Sequence, residues 1–265
     1  MKKPSQKGSF KKGILIVTKT PIRAKDSHKS EMISELLFGE CFTILEDKNE
    51  WIYIQNTYDK YEGYIEKQQC QYISETFFQK IQAKDTNLTS TKSHLLEIHK
   101  NNLVKLEIGS ILPLWEKGNF FIENDRYKFP LPQEKEDKII NRIISFSKKY
   151  LGSPYLWGGR SISGIDCSGF VQAVFRYVDI FLERDAYQQA EQGSDVFLIK
   201  EAQAGDLAFF DNDEGKITHV GLLLNNNEII HASGKVRIDK IDHNGIFKRE
   251  TQQYSHKLRL IKRHL

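Results

Sequence analysis

The spacing of apolar residues changes near Pro130 and Pro132, and this change divides the 265-residue chain into two kinds of sequence. Upstream, short apolar runs such as Trp51-Ile52-Tyr53-Ile54 alternate with polar residues and are bounded by Gly, Asn and Asp. Such runs are typical of the strands of a small β-barrel. Downstream, residues 134–150 place several isoleucines on one face at helical spacing, which predicts an amphipathic helix. The expected fold class is therefore α+β, with a domain boundary near residue 131.

A weak internal repeat lies within the strand-rich part. A shift of 70 residues aligns the pairs Gly39–Gly109, Phe42–Leu112, Glu46–Glu116, Asn49–Asn119, Trp51–Phe121 and Ile52–Ile122. The matched residue types are those that one strand-turn-strand unit needs, so the repeat predicts two similar modules. We expect small β-barrels at residues 1–80 and 81–131, followed by a third domain at residues 132–265.

Charge and apolar run length exclude several classes of partner. Lys and Arg number 39 against 35 Asp and Glu, and this dispersed net charge of +4 is too small to predict nucleic-acid binding. The longest apolar runs, such as residues 220–224, are far too short to cross a bilayer, so no membrane insertion is expected.

The first residues and the cysteines bear on the cellular compartment. Residues 1–6 are charged but no apolar segment follows them, so we expect a cytoplasmic protein, or a periplasmic one if a leader has been trimmed. Three widely spaced cysteines are typical of reduced thiols rather than a disulfide framework. No metal-binding spacing occurs, and we expect neither a metal nor a cofactor.

Cys167 has the strongest sequence context for a nucleophile. Glycines and small residues surround it, and a helical pattern with an apolar stripe follows at once. The thiol is therefore expected at a helix N-terminus, where exposed N–H groups and the helix dipole favour the thiolate. A substrate carbonyl could approach there, and the Cys167 N–H could stabilise an oxyanion. Cys41 and Cys70, within strand-like runs, are expected to be small buried residues instead.

Two histidines follow Cys167 on consecutive predicted strands that a run of asparagines joins. If the hairpin is centred on Asn225, His219 and His231 stand directly opposite each other, within reach of a hydrogen bond between their rings. A register shift of one residue would separate them. A thiol, a base and an orienting group predict acyl-transfer chemistry, with His219 as base and His231 holding its tautomer. As a neutral group, His231 would give less electrostatic help than a carboxylate.

Five landmarks occur in order along residues 140–250: Tyr155-x-Trp157-Gly158-Gly159, Asp166-Cys167-Ser168-Gly169-Phe170, Gly205-Asp206-Leu207, His219-Val220-Gly221 and Ile230-His231-Ala232. Together they resemble the NlpC/P60 family of cysteine peptidases, papain-like enzymes that cut bacterial cell-wall peptides. The resemblance implies that Cys167, His219 and His231 catalyse, and that Tyr155 lines the site and assists the oxyanion. A core aromatic with a tethered hydroxyl is the alternative role for Tyr155.

A further stretch, Arg184-Asp185-Ala186-Tyr187-Gln188-Gln189, narrows the resemblance. With upstream barrels of the bacterial SH3-like type, it is similar to the γ-D-glutamyl-L-diamino acid peptidases of the dipeptidyl-peptidase VI type. The resemblance implies a substrate with a free N-terminal L-Ala before D-Glu, whose ammonium group Asp185 would hold. Asp185 and Gln188 also form an Asp-x-x-Gln capping-box pattern, so a helix cap is the alternative role, and Asp185 could serve both.

The same resemblance implies five further substrate contacts: Asp166, Ser168, Ala186, Glu31 and Tyr64. Glu31 and Tyr64 lie in the first SH3-like module, which in this subfamily walls off one end of the groove. A surface glutamate and a barrel-core tyrosine are their alternative roles. The second module has no evident chemical residue, so a spacer role is expected for it.

These patterns predict a monomeric cysteine peptidase that hydrolyses the γ-D-glutamyl-L-diamino acid bond of murein tri- or tetrapeptides. It would release L-Ala-D-Glu during cell-wall peptide recycling. Two alternatives are a wall-peptide binding module with a vestigial catalytic domain, and an acyl transferase or amidase on the same scaffold. The intact Cys167, His219 and His231 argue against the first, and product analysis would separate the second. No motif tells whether the third residue of the cleaved stem is diaminopimelate or lysine.

Overall fold

The computed structural model describes residues 11–83, 88–98, 102–129 and 138–265. The chain divides into two compact units, residues 1–131 and residues 132–265.

The first unit opens with seven strands: β1 (Lys12–Leu15), β2 (Lys19–Arg23), β3 (Met32–Leu37), β4 (Cys41–Lys48), β5 (Trp51–Asn56), β6 (Glu62–Glu66) and β7 (Cys70–Ile73). They form one antiparallel sheet in the order β3-β2-β6-β5-β4-β1-β7. Alternate residues face its core, so Ile52 and Ile54 of β5 are fully buried, while Trp51 and Tyr53, which alternate with them, are half-buried. This is the period of two that the sequence predicts.

The described residues of the first unit also form an α-helix and six short strands: α1 (Glu75–Ala83), β8 (Leu88–Thr89), β9 (His94–Ile98), β10 (Asn102–Leu106), β11 (Ile111–Leu112), β12 (Asn119–Ile122) and β13 (Asp125–Lys128). The strands pair two by two, as β8–β11, β9–β10 and β12–β13. The predicted boundary after residue 80 falls inside α1, and a single apolar cluster packs Phe38 and Ile73 with Leu96 and Phe120. A second separate SH3-like module stays a prediction.

The turns at Gly39 and Gly109, which the predicted repeat aligns, have the same backbone hydrogen bonds. Gly39 N–H donates to Leu15 O, and Gly109 N–H donates to Ser90 O, each at 2.9 Å. In return, the N–H of Leu15 or Ser90 donates to the carbonyl of the residue that follows the glycine. These distances are 3.0 Å for Leu15 to Glu40 O and 2.8 Å for Ser90 to Ser110 O. Both glycines have positive φ, 80° and 93°, which favours glycine over other residues. The aligned glycines therefore occupy the same local geometry.

From residue 138 onward, where the structure describes the second unit, there are three α-helices, α2 (Ile139–Lys148), α3 (Cys167–Arg176) and α4 (Ala186–Gln189). Its strands are β14 (Arg160–Ser161), β15 (Gly164–Ile165), β16 (Ser194–Asp195), β17 (Leu207–Asp211), β18 (Ile217–Asn225), β19 (Glu228–Ser233), β20 (Lys235–Asp242), β21 (Gly245–Lys248) and β22 (Gln253–Arg263). Seven of them form an antiparallel sheet in the order β16-β22-β17-β18-β19-β20-β21, in which β21 also pairs with β22. Helix α3 packs on α2, β18 and β19, which brings the start of α3 to the sheet.

The helix predicted at residues 134–150 is described from residue 138 onward, and its predicted first turn lies outside the described residues. Of the isoleucines on the predicted apolar face, Ile143 is buried, whereas Ile139 is 42% exposed. Phe146 is buried instead and stacks on Tyr177, with ring centroids 4.2 Å apart. No helix of the described residues is long and apolar enough to span a membrane.

Candidate active site

Cys167 is the first residue of α3, and Asp166 is its N-cap. Asp166 Oδ1 accepts the Gly169 N–H at 2.6 Å, and Oδ2 accepts the Gly158 N–H at 2.9 Å. A carboxylate at this position satisfies backbone donors that the first turn of a helix leaves unpaired. The run from Asp166 to Gly169 therefore starts the helix and fixes the position of the Cys167 thiol, and the helix start lies where the sequence predicts it.

Arg184, only 1% exposed, forms an ion pair with this N-cap residue. Its guanidinium donates to Asp166 Oδ2 at 2.6 Å and Oδ1 at 3.1 Å, and also to Ser168 Oγ at 2.9 Å. Both oxygens of Asp166 and the hydroxyl of Ser168 are thus bonded within the protein, and substrate contact by these two residues stays a prediction. This role of Arg184 was not predicted from the sequence, although a basic residue in a buried segment needs a carboxylate partner.

The Cys167 thiol is 6% exposed and lies beside the strand that carries His219. Its Sγ is 4.0 Å from Thr218 O, and the Val220 N–H donates toward the same sulfur. Thr218 and Val220 are the residues before and after His219 in the chain. Burial raises the pKa of the thiol to about 12; the Asp166 charge adds to this, and N–H groups of Val220 and Ser168 oppose it. Burial therefore outweighs the effect of the helix N-terminus on this pKa, and the thiolate is not favoured as the sequence predicts. The neutral thiol needs a base.

The predicted direct opposition of His219 and His231 is wrong in register. His231 stands opposite Gly221, because the turn lies at Asn226 and Asn227 instead of being centred on Asn225, and a bulge between Leu223 and Asn225 then shifts the β18–β19 pairing by one residue. The two histidines are therefore diagonal neighbours, two residues out of register, and side-chain alternation keeps both on one face. His219 Nε2 lies 2.9 Å from His231 Nδ1, within hydrogen-bond distance. The two imidazole rings are therefore paired as predicted, but through a different register of the two strands.

A carboxylate stands behind His231. Asp239 Oδ2, on β20, is 3.0 Å from His231 Nε2. Arg237 Nε lies 2.7 Å from the same oxygen, and its Nη2 donates to Oδ1 at 2.7 Å. Burial alone would raise the pKa of Asp239, but hydrogen bonds from His231 and Arg237 outweigh it and lower that pKa. No role for Asp239 was predicted from the sequence. The feature that could have indicated it is the β19–β20 hairpin, in which Asp239 is two residues past Arg237, the partner of His231.

A third histidine, His256 of β22, lies against His219. Its ring stacks on that of His219 with centroids 4.2 Å apart and planes at 24°. Burial lowers the pKa of His256 to about 4, and it lowers the pKa values of His219 and His231 as well. All three rings are therefore neutral at physiological pH. No local motif indicated His256, because β22 reaches the site through its pairing with β17.

Tyr155 lies beside the nucleophile and is 37% exposed. Burial raises the pKa of its hydroxyl to about 12, and the Cys167 and Asp166 charges contribute in the same direction. The hydroxyl is therefore protonated at neutral pH and can donate. No group of three His, Cys, Asp or Glu side chains in the described part of the chain could hold a metal ion.

The remaining predicted contacts lie further along the chain or in the first unit. Asp185 is the N-cap of α4 and forms the capping box, in which its N–H donates to Gln188 Oε1 at 3.0 Å. Ala186 follows it and is buried. In the first unit, Glu31 is exposed, and Tyr64 is half-buried on β6, where Lys48 Nζ lies 3.3 Å from its hydroxyl. Roles of these residues toward a substrate stay predictions.

Two family models match the chain. The model described as the NlpC/P60 family matches residues 152–255. This chain carries an NlpC/P60 cysteine peptidase domain. The model described as the bacterial dipeptidyl-peptidase Sh3 domain matches residues 22–69, upstream of the NlpC/P60 domain. The predicted family, its α+β fold and the predicted class of enzyme are confirmed.

Known proteins are similar to the chain over different extents. A γ-D-glutamyl-L-lysine dipeptidyl-peptidase of Bacillus subtilis (strain 168) is 29% identical over 216 residues, which cover 75% of this chain and 71% of that protein. A probable endopeptidase p60 of Listeria grayi is 40% identical over 104 residues, but these cover 39% of this chain and 20% of that protein. The crystal structure of an NlpC/P60 family protein from Bacillus cereus superposes with a TM-score of 0.75 at 19% identity, covering 95% of this chain and 99% of that one, and shows the shared fold.

Proposed function

We propose that this chain hydrolyses the γ-D-glutamyl-L-diamino acid bond of murein peptides that have a free N-terminal L-Ala, and releases L-Ala-D-Glu. The extent of similarity carries the proposal. The relative named γ-D-glutamyl-L-lysine dipeptidyl-peptidase matches 75% of the chain, whereas the probable endopeptidase p60 matches 39%. The dipeptidyl-peptidase SH3 model at residues 22–69 supports the same substrate class.

In the proposed reaction, Cys167 Sγ attacks the γ-carbonyl carbon of D-Glu while His219 takes the thiol proton. The Cys167 N–H and the Tyr155 hydroxyl are the donors available to the resulting oxyanion. Collapse of the intermediate breaks the C–N bond, and His219 returns the proton to the leaving amine. Water, deprotonated by His219, then attacks the thioester carbonyl and releases the dipeptide, and the thiol takes back its proton.

Asp185 supports the choice of a free amino terminus. It follows directly after Arg184, whose side chain is bonded to Asp166 and Ser168 beside the nucleophile. The backbone therefore ties this carboxylate to the frame that holds Cys167. A carboxylate suits an ammonium group, since a desolvated cation needs a charged acceptor. Recycling as the cellular role, the cytoplasm as its location and a monomeric state stay predictions of the sequence.

The test is a digest followed by mass spectrometry. The substrates are L-Ala-γ-D-Glu-L-Lys and its diaminopimelate analogue, each free and N-acetylated, with the Cys167→Ala variant as control. Cleavage after D-Glu in the free peptides only, abolished in the variant, is the expected result, and the two rates rank the third residue. Equal cleavage of the acetylated peptides would overturn the requirement for a free terminus. No cleavage of any peptide by a protein with a reactive thiol would favour the acyl transferase.

A further inference from the structure

We propose that Asp239 is a positioning residue that selects the tautomers of His231 and His219 and leaves His219 Nδ1 as the catalytic base. The proposal rests on the proposed peptidase function of this site and assigns a role to a residue outside the predicted catalytic set. It depends on the contacts that link Asp239 to His231 and His231 to His219, and on the backbone contacts of Thr218 and Val220 with the Cys167 thiol.

The first contact determines where the hydrogen of His231 lies. Asp239 is 7% exposed, and the guanidinium of Arg237 lies 2.7 Å from each of its oxygens. This ion pair keeps Asp239 ionised, and an ionised carboxylate can only accept hydrogen bonds. The 3.0 Å contact between Asp239 Oδ2 and His231 Nε2 therefore requires the hydrogen on Nε2.

The second contact transmits this choice to His219. Burial keeps His231 neutral, so its ring carries one hydrogen, and with that hydrogen on Nε2 its Nδ1 is an acceptor. His219 Nε2, 2.9 Å away, must then be the donor. Because burial keeps His219 neutral too, its Nδ1 has no hydrogen and presents a lone pair. The tautomers of both rings follow from one carboxylate.

The third step places His219 beside the Cys167 thiol. Backbone groups on both sides of His219, Thr218 O and the Val220 N–H, contact Cys167 Sγ. Nε2 is bonded to His231, so Nδ1 is the nitrogen left for the thiol proton. Without Asp239, His231 could carry its hydrogen on Nδ1 and donate to His219 Nε2. His219 would then carry its own hydrogen on Nδ1 and could not act as a base there.

The negative charge of Asp239 also stabilises the positive charge that forms on His219 during the reaction. When Nδ1 takes the thiol proton, His219 becomes an imidazolium, and the carboxylate stabilises it through His231. Arg237 is held in turn by Glu250 at 2.7 Å, so the carboxylate keeps its orientation. A purely structural role, joining β19 to β20, is the competing explanation, and the experiment needs a readout that such a role would not change.

The experiment is a long-range ¹H–¹⁵N correlation spectrum of the full chain labelled at histidine nitrogens, with resonances assigned by single His→Gln variants. We expect protonated Nε2 and unprotonated Nδ1 in both His219 and His231. In Asp239→Ala we expect His231 to gain the Nδ1-protonated form, and kcat to fall by at least about 100-fold with little change in KM. This spectrum needs no substrate, so it tests the inference even if the digest finds a different product.

Asp242→Ala is the matched control, because Asp242 lies on the same strand and its carboxylate accepts from the Tyr254 hydroxyl at 2.5 Å. It should leave the His219 and His231 resonances and kcat unchanged. If Asp239→Ala does not fold, Asp239→Asn keeps the size of the side chain and should lower kcat about tenfold or more. A wild-type spectrum with His231 protonated on Nδ1 would overturn the proposal, as would unchanged tautomers and kcat in the folded Asp239 variants.

Discussion

Gly221 lies directly opposite His231 in the β18–β19 hairpin, and a Cβ added at Gly221 would stand 2.8 Å from His231 Cβ. The same atom would come within 2.6 Å of Ile229 Cδ1. The missing side chain leaves room for the His231 ring beside His219, two residues along β18. The glycine of the His-Val-Gly landmark is therefore needed for the geometry of the histidine pair.

Gly221→Ala should displace His231 and lower kcat/KM by about tenfold or more, with a stability cost of about 1–3 kcal/mol from overpacking. Gly215→Ala is the control, since Gly215 has φ of +77° and nothing within 4 Å of an added Cβ. Backbone strain there should cost about 1–2 kcal/mol and leave kcat/KM unchanged. Steady-state kinetics and thermal unfolding of both variants decide the matter, and full activity in Gly221→Ala would contradict the steric argument.

Arg184→Met should destabilise the second unit by about 3–5 kcal/mol, because it leaves the buried Asp166 carboxylate without its ion-pair partner. Lys216→Met removes a cation from an exposed pair with Glu214, whose side chains are 74% and 70% exposed, and should cost less than about 1 kcal/mol. Hydrogen exchange of peptides from α3 measures both. Equal protection of α3 in the two variants would show that the Arg184 pair does not hold the nucleophile.

Asp185→Ala should lower kcat/KM on free-N-terminus peptides by at least about 30-fold, or about 2 kcal/mol, while the fold survives. Asp185→Asn keeps a side chain that caps helices well but removes the charge, so it should lose similar activity with no loss of stability. Kinetics on free and N-acetylated peptides separate the two roles. An equal loss on both peptides, or full activity in Asp185→Asn, would assign Asp185 to the cap alone.

Acid should destabilise the second unit through its buried histidines. Burial lowers the pKa of His256 to about 4 from 6.5, so between these pH values the folded protein binds fewer protons than the unfolded chain. The free energy of unfolding is therefore largest above pH 6.5 and falls as the pH drops toward 4. His256→Phe should show a smaller fall in unfolding midpoint between pH 7 and pH 4.5, and the exposed His243→Gln a fall like that of the wild type. Identical pH curves for all three proteins would rule out this contribution.

Alkylation by iodoacetamide should report the neutral state of the Cys167 thiol. Because burial raises its pKa to about 12, the rate at Cys167 should keep rising with pH through 9, without a plateau near neutrality. Cys70, whose pKa burial raises to about 11, is an internal reference in the same digest. Peptide mass spectrometry follows both sites. A plateau below pH 8 at Cys167 would mean that a thiolate is already present in the free enzyme.

The local parts of the site could be predicted from the sequence. Asp166 before Cys167 and the apolar stripe after it place the thiol at a helix start, because N-capping and helical periodicity depend on residues only a few positions apart. The equivalent turns at Gly39 and Gly109 are predictable for the same reason, since a positive φ restricts the residue type locally. The landmarks around Cys167, His219 and His231 were sufficient to predict the NlpC/P60 family.

The order of the elements and the candidate catalytic residues Cys167, His219 and His231 could be predicted from the sequence alone. The two-residue offset between His219 and His231 could not, since it depends on where the hairpin turns and on a bulge beside that turn. The same holds for the side chains that complete the site, Arg184, Asp239 and His256, and for the raised pKa of the thiol. The physical reason is that burial and long-range hydrogen bonds depend on how separate strands and helices pack, and the residue types within any one segment do not specify that packing.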